Sequence, residues 1–162
     1  MKKYLWILIL AVIVVAVFVM RDRRPTDEEV KSYSEMTARE VALTCTTDMA
    51  TEFHIHPVLS IVINGEVEII PADIGITNNC MNSLHTHDDS GELHVEAPVQ
   101  KDFTLSDFFA VWNKPFSSTQ IFDHVVDDTH EIVVTVNGGR VETYENTLLV
   151  DKDRIVISYQ AK

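Results

Sequence analysis

The sequence predicts an α+β domain, mostly antiparallel β with one packed helix, preceded by a single N-terminal transmembrane helix. Three observations carry this. An uncharged apolar run fills residues 4–20, period-two apolar runs flank Asn-Gly pairs at 64–65 and 137–138, and the stretch 103–112 repeats large apolar residues at helical spacing. A length of 162 residues allows one domain plus a targeting element. The expected division is an anchor at 1–24, a helical stalk or linker at 25–44 and a β-rich extracytoplasmic domain at 45–162.

The apolar run is 17 residues long, bracketed by Lys2-Lys3 and by Arg21, Arg23 and Arg24. That is the short end for a spanning helix but longer than a signal-peptide core, and it ends Val-Phe-Val-Met with no small-x-small cleavage site. An uncleaved anchor is therefore expected. Basic residues at both ends leave the positive-inside rule without a preference. Beyond residue 24 the chain keeps 8 basic against 24 acidic side chains, a balance of −16. Such a charge excludes nucleic acid and anionic lipid surfaces as partners, both of which need basic patches. It attracts cations, although an acidic surface is also simply a soluble one.

After the anchor, Thr26 with Glu29 three residues on has the form of a helix start, and Val30, Tyr33, Thr37, Val41 and Thr44 fall at helical spacing. From residue 58 the pattern alternates. Residues 58–63 and 66–70 read as strands joined by Asn64-Gly65, the strongest short hairpin signal. Pro71 cannot donate to a central ladder, so 71–76 must leave the sheet. Thr104 with Asp107 caps the helix that follows, whose buried face is Leu105, Phe108, Phe109 and Trp112, and Pro115 ends it. Residues 131–136, 140–144, 148–150 and 153–159 read as further strands, the first two around Asn137-Gly138. The hairpins fit an antiparallel sheet with the helix packed on it.

Five of the seven histidines, His54, His56, His85, His87 and His94, fall within residues 54–96. In a strand, positions i and i+2 share a face, so each His-x-His pair offers two neutral imidazoles in one direction, as a borderline transition metal requires. The competing reading is a set of polar positions on a half-exposed sheet. Register decides the membership of His94. A four-residue loop at 88–91 places His85 opposite His94 and His87 opposite Glu92; a left-handed Gly91 in a G1 bulge shifts the pairing by one and sends His94 to the other face. In the second case His54 and His56 complete the site.

Imidazole ligands suit zinc, copper and nickel, and the absence of a carboxylate-rich loop argues against calcium. Copper or zinc is the expected cofactor. Cys45 and Cys80 admit three readings: a disulfide closing a loop of about 35 residues, two free thiols, or thiolate metal ligands. The even count beside a membrane anchor favours the disulfide and an oxidising compartment. His124 and His130, in an Asp-rich stretch with Asp123, Asp127 and Asp128, are expected to be solvated loop residues rather than a second site. No His-Glu-x-x-His, Gly-x-Ser-x-Gly or phosphate loop is present. The spacing from His85 to Glu92 is similar to the first cupin motif, but the framing glycines are missing.

Four motifs together resemble a widespread family of secreted or membrane-anchored prokaryotic proteins: His-x-His-Pro at 54–57, Ile-Pro-Ala-x-Ile-Gly-Ile at 70–76, Leu-His-Thr-His-Asp-x-x-Gly-x-x-His-Val-Glu-x-Pro at 84–98, and Phe-Thr-Leu-x-x-Phe-Phe-x-x-Trp at 103–112. The resemblance covers most of residues 45–160. It implies an intact extracytoplasmic domain whose histidines belong to one site, and it implies no substrate. Family members often have Glu-Ser-Pro where this chain has Glu96-Ala97-Pro98. The expected function is a membrane-anchored metal-binding protein for delivery, buffering or sensing, with a protein partner for metal transfer. The alternatives are a metal-dependent enzyme with Glu92 or Glu96 as general base, and a metal-free interaction module.

Overall fold

The computed structural model describes residues 32–47 and 51–162. The apolar run at 4–20 and the helix start at Thr26 lie outside them, and among the described residues no helix is long and apolar enough to cross a membrane. In chain order come helix α1 (Ala38–Leu43) and strands β1 (Cys45–Thr46), β2 (Phe53–Ile55), β3 (Val58–Ile63), β4 (Glu66–Glu68), β5 (Met81–Asn82), β6 (Leu84–His85) and β7 (His94–Ala97). Helix α2 (Leu105–Trp112) follows, then β8 (Phe116–Ser117), β9 (Gln120–Ile121), β10 (His124–Val125), β11 (His130–Val136), β12 (Gly139–Val141), a 3-10 turn at Tyr144–Asn146, and β13 (Arg154–Ala161).

The two Asn-Gly turns form where the sequence places them. Asn64 and Gly65 have φ of 52° and 89°, and Asn137 and Gly138 have 52° and 83°, the left-handed pairs of type I′ turns whose twist matches the flanking strands. They join β3 to β4 and β11 to β12 within a five-stranded sheet of order β12-β11-β13-β3-β4.

Its centre departs from the antiparallel expectation. Strand β13 runs parallel to β3, from Arg154 beside Val58 to Tyr159 beside Ile63. This register sets Ile155 beside Leu59 and Ile157 beside Ile61, all buried on one face. Matching two alternating apolar sets in step is what a parallel ladder achieves once a long crossover is available. Residues 148–150 do not form the expected strand. Leu148 makes one bridge to Thr104, and Leu149 N–H donates to the Phe103 carbonyl (2.9 Å), so this segment fastens the start of α2 instead. The strand expected over 140–144 stops at Val141, and Tyr144, at φ 43°, turns the chain away.

Thr37, expected inside a continuous helix, breaks it. Its N–H donates to Glu40 Oε2 (2.7 Å) and its hydroxyl accepts from Glu40 N–H (3.2 Å), a capping box that starts α1 afresh. The end of the segment read as a stalk is packed: Val41 and Ala42 are fully buried, and Arg39 Nε donates to Asp107 Oδ1 of α2 at 2.7 Å. Asp107 Oδ2 accepts from Thr104 N–H (2.9 Å), completing the expected cap of α2. Leu105, Phe108 and Phe109 are buried as expected, but Trp112 is only half-buried, against Phe108, Phe109 and Phe122. A left-handed Asn113 (φ 56°) ends the helix before Pro115 is reached. Cys45 and Cys80 form the disulfide, next to the β1–β5 ladder that pairs Cys45 with Asn82.

Candidate metal centre

The three-stranded sheet β2-β7-β6 carries the histidines. Along β7, Val95 and Ala97 are buried, so His94 and Glu96 face the other way. His54 lies opposite Glu96 and His85 opposite His94, which puts all four on that face. His56 extends β2 by one period, and His87 continues beyond β6. The rings form a chain with His94 in the middle: His54 to His56 is 4.4 Å between centroids, His56 to His94 4.7 Å, His94 to His87 4.5 Å, and His87 to His85 4.8 Å. All five sequence-predicted ligands are brought together.

The register is that of the four-residue loop, with the glycine of the alternative. Gly91 has φ 82°, and a Cβ there would run into the Leu59 carbonyl. Glu92 does not face His87. Leu59 N–H donates to the Gly91 carbonyl (2.8 Å), Leu93 N–H to the Pro57 carbonyl (2.9 Å), and Glu92 bridges Val58. Residues 91–93 thus zip onto the start of β3, and the loop between β6 and β7 is wider than expected.

The turn at 72–75 sets β6 in place. Thr86, fully buried between the second pair of histidines, donates its hydroxyl to the Pro71 carbonyl (2.8 Å) and accepts from Ile74 N–H (3.1 Å). Its backbone N–H and carbonyl pair with the Ile74 carbonyl and Asp73 N–H. Gly75, at φ 73°, lies so close that a Cβ would come within 2.5 Å of the Leu84 carbonyl and 3.3 Å of His85 Cβ. On the other side, Asp151 Oδ1 accepts from His56 N–H (3.0 Å) and Lys152 N–H donates to the His56 carbonyl (3.2 Å).

His85 is fully buried, and its Nδ1 lies 3.0 Å from the Asn82 carbonyl. A carbonyl only accepts, so Nδ1 carries the hydrogen and the lone pair is on Nε2. This is the outer-shell contact that fixes the tautomer of a metal-ligating histidine. Burial lowers the His85 pKa to about 4, so the ring is neutral and free to ligate at ordinary pH. The pKa of His94 is also lowered, by burial first and then by His87 and His56. Nε2 of His85 and Nε2 of His87 are 3.2 Å apart, close to the roughly 3.3 Å between two nitrogens bound to one tetrahedral zinc. Without metal, His87 donates to the His85 lone pair; with the His87 proton on Nδ1 instead, both Nε2 lone pairs would be open to an ion.

The ligating atoms make two groups of three, His54 with His56 and His94, and His85 with His87 and His94, each group lying within 4.8 Å of one another. Glu96 Oε1 is 3.0 Å from His54 Nε2 and 3.7 Å from His94 Nδ1; Glu92 Oε1 is 3.4 Å from His94 Nε2. His94 Nδ1 is buried with no hydrogen-bond partner, a costly state that an ion would relieve. A surface cavity of about 310 Å³ lies alongside, lined by His56, Val58, Glu92, Lys152 and Arg154.

His124 and His130 are on strands rather than in a loop, because Tyr159 of β13 gathers them. The His130 ring stacks on Tyr159 at 5.0 Å and 2°, and His124 lies 5.1 Å from it. Among the described residues, neither belongs to a group able to hold a metal. Asn82, Thr86, Gly75 and Asp151 were not singled out from the sequence. Thr86 and Gly75 at least lie inside recognisable motifs; nothing marks Asn82, which acts through its carbonyl. No family model matches the chain, and no curated protein or solved structure matches it either.

Proposed function

We propose that this is a membrane-anchored, extracytoplasmic metal-binding protein that holds copper or zinc on its histidine face, for delivery, buffering or sensing. The observation that carries the reading is the pair of three-histidine groups, one of which already has its tautomer set by the Asn82 carbonyl. Neutral imidazoles in threes suit zinc and copper. The disulfide fits an oxidising compartment, the apolar run at 4–20 supplies the anchor, and the resemblance drawn from the four motifs points the same way. Delivery needs a partner protein with a competing ligand set.

Elemental analysis of the protein, purified without an affinity tag, tests this directly. Copper or zinc is expected in substoichiometric to equimolar amount. Zinc or copper at 1,000 times its Kd should raise stability by about 4 kcal/mol, or about 10 °C in Tm. An empty analysis, with Tm unmoved by metal or chelator, refutes the reading and leaves an interaction module.

A second reading, a metalloenzyme, is favoured by the cavity beside His56 and Glu92. Three protein ligands leave a fourth position for water or substrate. Glu92 is the better-placed general base, since Glu96 already holds His54. An exchangeable water on the cobalt-substituted protein supports this reading; a closed four-ligand site removes it.

A further inference from the structure

We propose that the five histidines are two alternative seats for a single ion, an outer seat of His54, His56 and His94 and an inner seat of His85, His87 and His94, between which the ion passes by exchange at His94. This rests on the metal-binding reading and adds to it a route.

The argument begins with lone pairs. Among the described residues, the groups able to hold a metal are these two and no larger one, and they share His94 alone. A neutral imidazole has one lone pair in its plane. His94 therefore completes one seat or the other, and the seats compete. The strand order explains the sharing: His94 is on the middle strand of β2-β7-β6, with a His-x-His pair on each flank.

Both ring nitrogens of His94 have a carboxylate nearby, Glu96 at Nδ1 (3.7 Å) and Glu92 at Nε2 (3.4 Å). Nδ1 has no hydrogen-bond partner, since 3.7 Å is too long for one, while Glu92 is an acceptor for a hydrogen on Nε2. Nδ1 is thus the nitrogen of the middle ring left open to an ion, as Nε2 is in His85, whose Nδ1 is committed to Asn82.

The seats also differ in access. The His54 side chain is 46% exposed, and His56 lines the open cavity with Glu92. In the inner seat His87 is exposed but His85 is fully buried. An ion from solvent completes the outer seat, none of whose ligands is buried, more readily, and is held longer at the inner one. With a ring-to-ring step of 4.7 Å on one side of His94 and 4.5 Å on the other, it gives up the His56 and His54 nitrogens and takes those of His87 and His85, with His94 the ligand common to both seats.

Cobalt(II) binding to the full chain, read by its d–d absorption and by stopped flow, tests this. The native protein should bind about one Co(II) per chain, because His94 has one lone pair to give. The His54→Ala/His56→Ala variant should keep that stoichiometry and take up the ion more slowly. His87→Ala should also bind one ion, at the outer seat, with a changed spectrum and faster release to a chelator. His94→Gln should lose binding at both seats, with circular dichroism checking its fold. Two ions per native chain would mean both seats fill together, and would overturn the proposal while leaving the metal-binding reading intact. Complete loss of binding in His87→Ala, or unchanged uptake in the His54/His56 variant, would also overturn it. No binding by the native protein would remove both readings.

Discussion

Lowering the pH from 7.5 should destabilise the metal-free protein through His85. His85 is fully buried, and its pKa falls from 6.5 to about 4, with burial the largest cause. A histidine with a depressed folded-state pKa takes up its proton more readily when unfolded, so its neutral form supports the fold above pH 6.5. That support is lost as pH falls through the window from 6.5 to 4. A shift of this size corresponds to about 3 kcal/mol, of which about 2 kcal/mol is gone by pH 5. Against a total stability of about 5–15 kcal/mol, the loss is measurable. Urea unfolding of the apoprotein at pH 7.5, 6 and 5 should show the midpoint falling, while His85→Gln, starting lower, should fall by about 2 kcal/mol less over the same range. Equal stability at pH 7.5 and pH 5, or an NMR titration placing His85 above pH 6, would refute the reasoning.

Gly75→Ala should cost about 2 kcal/mol or more and weaken metal binding at His85, because its Cβ meets the Leu84 carbonyl and strains a left-handed φ; an unchanged melting curve argues against it. Asp107→Ala removes both the cap at Thr104 N–H and the ion pair with Arg39, and should lower stability by about 2–3 kcal/mol in denaturant titration. Replacing Cys45 and Cys80 with Ser opens a loop with a sequence separation of 35 and should cost about 4 kcal/mol on the chain-entropy account. The same variant should bind metal less tightly, since the β1–β5 ladder holds Asn82 and hence the His85 tautomer; affinity equal to that of the native protein at a temperature where both are folded would break that link.

What could be read from the sequence was local. Asn64-Gly65 and Asn137-Gly138 dictate their own turns, Thr104 with Asp107 caps its own helix, and His85 and His94 each sit three residues from a turn at 88–91 whose length sets their pairing. The gathering of His54 and His56 beside them follows from alternation once β2 and β7 pair. What could not be read is non-local. Nothing near residue 60 says that its parallel partner lies near residue 156, and nothing near Thr86 says that a turn at 72–75 will close over it. At Thr37 helical spacing and a capping box compete for the same residues, and the box wins. His124 and His130 are ordered by the ring of Tyr159, which is some 30 residues further on and leaves no mark near them.

The parallel pairing of β3 with β13 has a consequence for when the site comes into being. Val58 meets Arg154, so roughly 100 residues must be synthesised after β3 before its ladder closes, a wait of about 5–20 s at ordinary translation rates. Until then β3 has only β4 beside it, and the segment at 91–93 has no finished sheet to zip onto. The closing of so long a loop also makes this a slow-forming contact. The histidine face is therefore among the later parts of the molecule to assemble. On the extracytoplasmic placement proposed above, a chain that crosses the membrane unfolded would arrive without a competent site and would take its first ion only on the far side.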